Sequence, residues 1–170
     1  MTSPVIRIPL VLLLIATLGA CSGWGLRGMR EKTIAVDSVH VRAGGAQQLR
    51  RALMTELVNS GIRLEKQRTS ADAVIELDEE SFDRRVLSVD ADTGKVREVE
   101  LGLQVQFSVR GKEGKLLVPP ERLSWVQDFV FDENSILGTR ERATIIKREL
   151  AEDAAQTIRL RLETIDFAAR

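Results

Sequence analysis

The chain is poor in the side chains that most often carry chemistry. Its 170 residues include one cysteine, Cys21, one histidine, His40, and no tyrosine, and aromatic residues make up only 4%. A lone cysteine excludes an intrachain disulfide and any CxxC redox or metal pair. A lone histidine leaves one imidazole for every reaction that needs a neutral-pH base. No Gly-x-Gly-x-x-Gly stretch is present to cradle a phosphate. Neither sign of charge is in excess, with 25 basic against 25 acidic side chains, so no overall field draws the protein to nucleic acid or to an anionic membrane surface. Repeats and low-complexity tracts are absent too. The apolar run Leu10 to Ala16 falls well short of the roughly 20 residues a membrane-spanning helix needs.

That run has another use. Arg7 precedes it as the only charge, and Leu18-Gly19-Ala20-Cys21 follows, the order of a charged region, an apolar region and a small-residue cleavage site. Leu-Gly-Ala-Cys resembles the lipobox of bacterial lipoproteins. The expectation is a cleaved signal peptide over residues 1–20 and a mature chain beginning at Cys21, which would carry a diacylglycerol and an N-acyl chain. At about 0.8 kcal/mol per buried methylene, such chains hold a protein stably on a bilayer. Ser22, rather than Asp, follows the cysteine and resembles the signal for release to the outer membrane. The mature chain has 150 residues, with 24 basic and 25 acidic side chains for a formal charge of −1, enough for one compact domain. We place a tether at 21–32 and the domain at 33–166.

Within the domain, β-branched residues from Thr33 to Val41 predict a strand. Gly44 and Gly45 break it, and Leu49, Leu53 and Leu57 mark an amphipathic helix over 46–60 stopped by Gly61. A long strand is expected from Ala73 to Val89, bulged near Asp83 and Arg84 where the alternation slips. Val99, Leu101, Leu103, Val105, Phe107 and Val109 alternate with Glu98, Glu100, Gln104, Gln106, Ser108 and Arg110, the mark of a strand with one buried and one wet face. Pro119-Pro120 forbids regular pairing before a last strand from Arg122 to about Asp132. Ile146, Leu150, Ala154, Ile158, Leu162 and Ile165 then line one side of a long helix. The order is β-α-β-β-β-α. This predicts an α+β domain, with two helices covering one face of a four-stranded mixed, mostly antiparallel sheet and a polar opposite face.

Routes to catalysis are strained. His40 lies on a strand, where a surface or packing role is the ordinary one. Asp78, Glu79 and Glu80 are adjacent, so they point to alternate faces and do not converge without a bulge. Asp90-x-Asp92-x-Gly94 has the start of a calcium loop but lacks its third Asp or Asn, its glycine in register and its closing glutamate; Asx-rich turns form for backbone reasons alone. No catalytic residue, metal site or cofactor is expected.

Ser22-Gly23-Trp24-Gly25-Leu26-Arg27-Gly28 resembles the segment that follows the lipidated cysteine in the LptE family of lipopolysaccharide-assembly lipoproteins. Phe131-Asp132-Glu133-Asn134, Ile136-Leu137, Ile145 to Leu150, Ala154-Ala155-Gln156 and Ile158-Arg159-Leu160 are similar to that family's final strand, loop and C-terminal helix. The resemblance spans the mature chain. It implies a protein that is not an enzyme, anchored in the outer membrane with its domain facing the periplasm or within a barrel lumen. There it would help assemble the LptD β-barrel, plug it and assist lipopolysaccharide insertion into the outer leaflet. Trp24, Leu26 and Arg27 would then dock at the membrane interface or barrel wall, or pack on the domain. Arg84, Arg85, Arg97, Arg110, Arg140 and Arg142 are the candidates for the phosphates of lipopolysaccharide; Arg140 and Arg142 lie beside Gly138-Thr139, where some members carry a basic residue. The alternative is a periplasm-facing lipoprotein holding a small lipid or glycan. Such a carrier needs a cavity between helices and sheet, whereas the helix stripes here are Leu, Ile and Ala, which fill a core.

Overall fold

The computed structural model describes residues 34–132 and 135–167. The expected signal peptide, Cys21, Trp24, Leu26 and Arg27 lie outside the described residues. Strand β1 (Ser38–Ala43) leads to helix α1 (Gln47–Asn59), a two-residue strand β2 (Arg63–Leu64), then β3 (Ala73–Val89), β4 (Val96–Gly111), β5 (Leu116–Val130) and helix α2 (Ile136–Glu163). The sheet order is β2-β1-β3-β4-β5. Pairs β1/β2 and β1/β3 are parallel, while β3/β4 and β4/β5 are antiparallel. The α+β class therefore stands as expected, with β2 added as a fifth, very short strand. Among the described residues no helix is long and apolar enough to cross a membrane.

Both helices lie on one side of the sheet. Leu49, Leu53 and Leu57 of α1 and Ile146, Leu150, Ala154, Ile158 and Leu162 of α2 share a buried cluster with Val39, Val41, Ile75, Leu77 and the six apolar residues of β4. Small Ala151 and Ala155 are buried as well, which lets α2 come close to α1. Helix α1 ends in a Schellman arrangement: Gly61 N–H donates to Val58 O at 2.9 Å and Ile62 N–H to Leu57 O at 3.0 Å. Gly61 has φ +80°, a conformation that costs glycine no Cβ clash. That stop turns the chain back so that β2 can pair beside β1, a pairing two residues long and too short for any periodicity to announce.

Two strand boundaries and the position of one bulge differ from expectation. Ile34 and Val36 are buried but precede β1, so their apolar character reflects packing rather than pairing. In β3 register shifts fall between Asp78 and Ser81, with Glu79 at φ +53°, and again between Val86 and Val89, while Asp83 and Arg84 pair regularly with Gly102 and Leu101. The cause is parity. Leu77 and Phe82 both face the helices, yet an odd number of positions separates them, so one extra residue must be absorbed between them. In β5 the strand begins at Leu116 and runs through Pro119-Pro120, which sit at a further shift, between the pairs Phe107↔Glu121 and Val109↔Val118. Proline is tolerated because β5 is the sheet's edge and no outer ladder is lost.

Candidate functional site: a cationic and apolar end

The β3–β4 turn, the end of β5 and the start of α2 meet at one end of the domain. Asp90 builds the turn: its Oδ1 accepts the Thr93 N–H at 3.0 Å, the Thr93 hydroxyl at 2.9 Å and the Asp92 N–H at 3.2 Å. These bonds, backbone first, hold its carboxyl below the usual range. The Asp90-x-Asp92-x-Gly94 stretch thus serves as an Asx-type turn closed by Gly94 at φ +71°. Nearby, Phe131 N–H donates to Arg97 O at 2.8 Å, and the Thr139 hydroxyl donates to Asp132 O at 3.0 Å, tying α2 to the end of β5.

Five of the six candidate arginines come to this end. Arg84 lies on the helix side, paired with Leu101, and its guanidinium sits 4.8 Å from the Phe131 ring centroid, a cation–π contact. Arg85 points to the open side, 2.9 Å from Glu100. Arg97 reaches Asp90 at 3.5 Å. Arg140 and Arg142 stand near the start of α2 and are exposed, with no ion pair to any described residue. Among these cations five large apolar side chains are exposed: Val86 48%, Leu87 44%, Val89 55%, Val130 75% and Leu137 80%. An open groove of about 370 Å³ runs between Lys95, Val96, Arg97, Val130 and Phe131. The chemistry on offer is binding, of an anion that also carries apolar chains.

Arg110 is set apart from the other five. It pairs with Val74 and Leu116 near the opposite end of β4, and its Nε lies 3.2 Å from Glu76. Glu76 also takes Arg42 at 3.3 Å and the Ser108 hydroxyl at 3.2 Å. Burial alone would raise the Glu76 carboxyl, but Arg110, Arg42 and Ser108 outweigh it and hold it below the usual range. The three adjacent carboxylates of β3 go separate ways: Asp78 to Arg42 at 2.8 Å, Glu79 to Arg122 at 2.9 Å, and Glu80, in the bulge, toward α1. Among the described residues no group of three acidic, His or Cys side chains could hold a metal. His40 donates its Nδ1 proton to Glu65 O at 2.9 Å, an anchoring bond between β1 and the segment after β2. Sequence reading missed Phe131 as the platform for Arg84, since alternation marks it only as a core position. It missed the exposed valines and leucines as well, because apolar residues at strand ends read as core until the helices' reach is known.

A pair of helices on one face of a mixed sheet is a fold shared with several bacterial lipoproteins. Rare lipoprotein B from Shewanella oneidensis has this fold, with TM-score 0.64, 20% identity and coverage of 74% of this chain and 93% of that one. An uncharacterized lipoprotein B from Nitrosomonas europaea matches with TM-score 0.66, 19% identity and coverage of 80% and 87%. A minor lipoprotein from Acinetobacter baumannii matches with TM-score 0.63, 20% identity and coverage of 76% and 92%. No curated protein matches the sequence. Residues 31–162 match the LptE family, described as lipopolysaccharide-assembly, and the chain belongs to that family.

Proposed function

We propose that this protein is anchored to the outer membrane through acylated Cys21 after removal of residues 1–20, binds and helps assemble the LptD β-barrel, plugs its lumen and assists delivery of lipopolysaccharide to the outer leaflet. Residues 21–32 act as the tether and the remainder as one domain, and no reaction is catalysed. Family membership supports the setting. The observation that carries the reading is the end where Arg84, Arg85, Arg97, Arg140 and Arg142 surround exposed Val86, Leu87, Val89, Val130 and Leu137. Lipopolysaccharide presents phosphates to guanidinium groups and acyl chains to apolar side chains. A barrel lumen is polar and suits the open face of the sheet, with Glu76, Gln104, Gln106 and Arg110. The alternative of a small-ligand carrier gains no support from the packing, since the space between helices and sheet is filled by the buried cluster.

Affinity purification of the tagged full chain from detergent-solubilised outer membranes tests the partner. One large β-barrel recovered at equal stoichiometry is the expected result, and a chain that emerges alone with its anchor intact overturns the reading. For the ligand, charge reversal by Arg140→Glu with Arg142→Glu is expected to weaken binding of purified lipopolysaccharide about tenfold or more at low salt. An unchanged affinity would remove these arginines from the site.

A further inference from the structure

Helix α1 covers the sheet only as far as the bulge in β3. Its Leu49 N–H is bonded to Glu80, and it runs in the same direction as α2, since Glu56 near its end lies 3.6 Å from Arg159. Beyond Glu80 the helix side of β3 continues with Phe82, Arg84 and Val86, paired to Leu103, Leu101 and Val99. This stretch has α2 on one flank and no described helix on the other. Phe82 is accordingly only partly buried, and Val86 is 48% exposed. The flank of α2 above it carries Arg140, Ala143 and Lys147, whose spacing of three and four puts them on one face of the helix, and Ala143 packs on the core. The result is a shallow valley with an apolar floor and cationic walls.

Two of these cations are braced by rings. Lys147 Nζ sits 5.3 Å from the Phe82 centroid, and the Arg84 guanidinium 4.8 Å from that of Phe131. A ring face holds a cation in place without neutralising it, so both keep their charge and N–H groups for an anion. Their rings stand at different levels of the sheet: Phe82 is paired with Leu103, whereas the Phe131 N–H is bonded to Arg97 O, six positions further along β4. At ~3.3 Å per residue that is roughly 20 Å, and each cation keeps to its own ring, so one phosphate cannot bridge the pair. The open side of the same strands discourages phosphate, because Asp83, Glu100 and Asp128 lie there with Arg85 among them. Resting on the lipopolysaccharide reading above, we propose that the head of the lipid lies in this valley and that the valley selects a head with two phosphates on a rigid spacer. One phosphate meets Lys147 and the other Arg84, and Phe82 and Phe131 are the positioning residues behind them.

The test is titration of the full chain in mild detergent with three probes: lipid A carrying two phosphates, its monophosphoryl form and a form carrying none. The two-phosphate form is expected to bind about tenfold or more tighter than the monophosphoryl form. Lys147→Gln brings it down to the monophosphoryl level and leaves the monophosphoryl affinity unchanged, because a single phosphate still has Arg84. Phe82→Leu keeps the floor apolar but removes the ring, and it lowers the discrimination in the same direction; Phe82→Tyr restores it. Equal affinity for the one- and two-phosphate forms, with both bound better than the form carrying none, would keep lipopolysaccharide as the ligand and overturn the valley's selectivity. Equal affinity for all three, or no binding, would overturn both. Discrimination that survives Lys147→Gln, or that Phe82→Tyr loses as fully as Phe82→Leu, would overturn the proposal as well.

Discussion

Charged side chains in the middle of the sheet's open face share partners on adjacent strands, whereas two arginines at the start of α2 have no ion pair among the described residues. Glu76, 12% exposed, sits between Arg42, Arg110 and Ser108, and each group there is held by neighbours on adjacent strands. At the start of α2, Arg140 and Arg142 have no ion pair to a described residue, and beside the start of α1 Glu80 keeps a buried oxygen, Oε1, without a hydrogen-bond partner. One residue type can therefore do different work in one protein. Arg110 is part of the scaffold, whereas Arg140 and Arg142 have no ion-pair partner among the described residues. An arginine's place in the network, more than its exposure, separates the two.

Substitutions break this comparison in order of size. The largest effect belongs to neither class of charge: Leu150, 2% exposed, is a core residue under α2, and Leu150→Ala costs about 2–5 kcal/mol through lost burial and a residual cavity, read as a lowered urea midpoint. Next comes the partnered region. Glu76→Ala leaves the Arg110 guanidinium and a buried Ser108 hydroxyl without their acceptor, and Arg42 with Asp78 alone, and costs about 1–3 kcal/mol. Arg140→Ala, by contrast, stays within about 0.5 kcal/mol of the parent. Equal costs at Glu76 and Arg140 would show that the distinction drawn from the network is wrong. Because the folded Glu76 carboxyl lies below its ordinary value of 4.5, its contribution is present above that value and is lost as pH falls through the lower folded one.

How much of this was legible beforehand follows from the physics of each signal. The strict alternation from Val99 to Val109 and the Leu49-Leu53-Leu57 stripe announced β4 and α1, since burial on one face leaves a period in the sequence. The parity change between Leu77 and Phe82 held the position of the first bulge, whereas the slip in alternation read at Asp83 and Arg84 falls on residues that pair regularly. Strand β2 left no trace in two residues. The arginines could be picked out as a type, but which of them lack partners depends on cross-strand register, so nothing local distinguishes Arg110 from Arg97. The five exposed apolar residues at the cationic end looked like core because the sequence does not say where the helices stop covering the sheet.

The smallest effect is the most diagnostic, because it sets two carboxylates of one strand against each other. Glu80 lies four residues beyond Glu76, in the bulge. It accepts the Leu49 N–H at the start of α1, a helix whose N-cap, Ala46, offers no side-chain bond and whose first turn has no acidic residue. Burial raises the Glu80 carboxyl, and the Leu49 N–H only partly offsets this. A raised value means that protonation favours the folded state: the contribution is full below 4.5 and is lost as pH rises through the folded value. Glu80→Gln keeps an acceptor for the Leu49 N–H while removing the half-buried charge, so it should stabilise the domain at neutral pH, with the gain shrinking as pH falls from the raised folded value toward 4.5 and gone below it. Thermal melts of the parent and variant across that range check it. A gain that persists in acid would mean that the orphaned oxygen, rather than the charge, is what costs stability. No gain at neutral pH would mean that the bond to α1 compensates the charge fully, and Glu80 would then belong with Glu76 among the partnered residues.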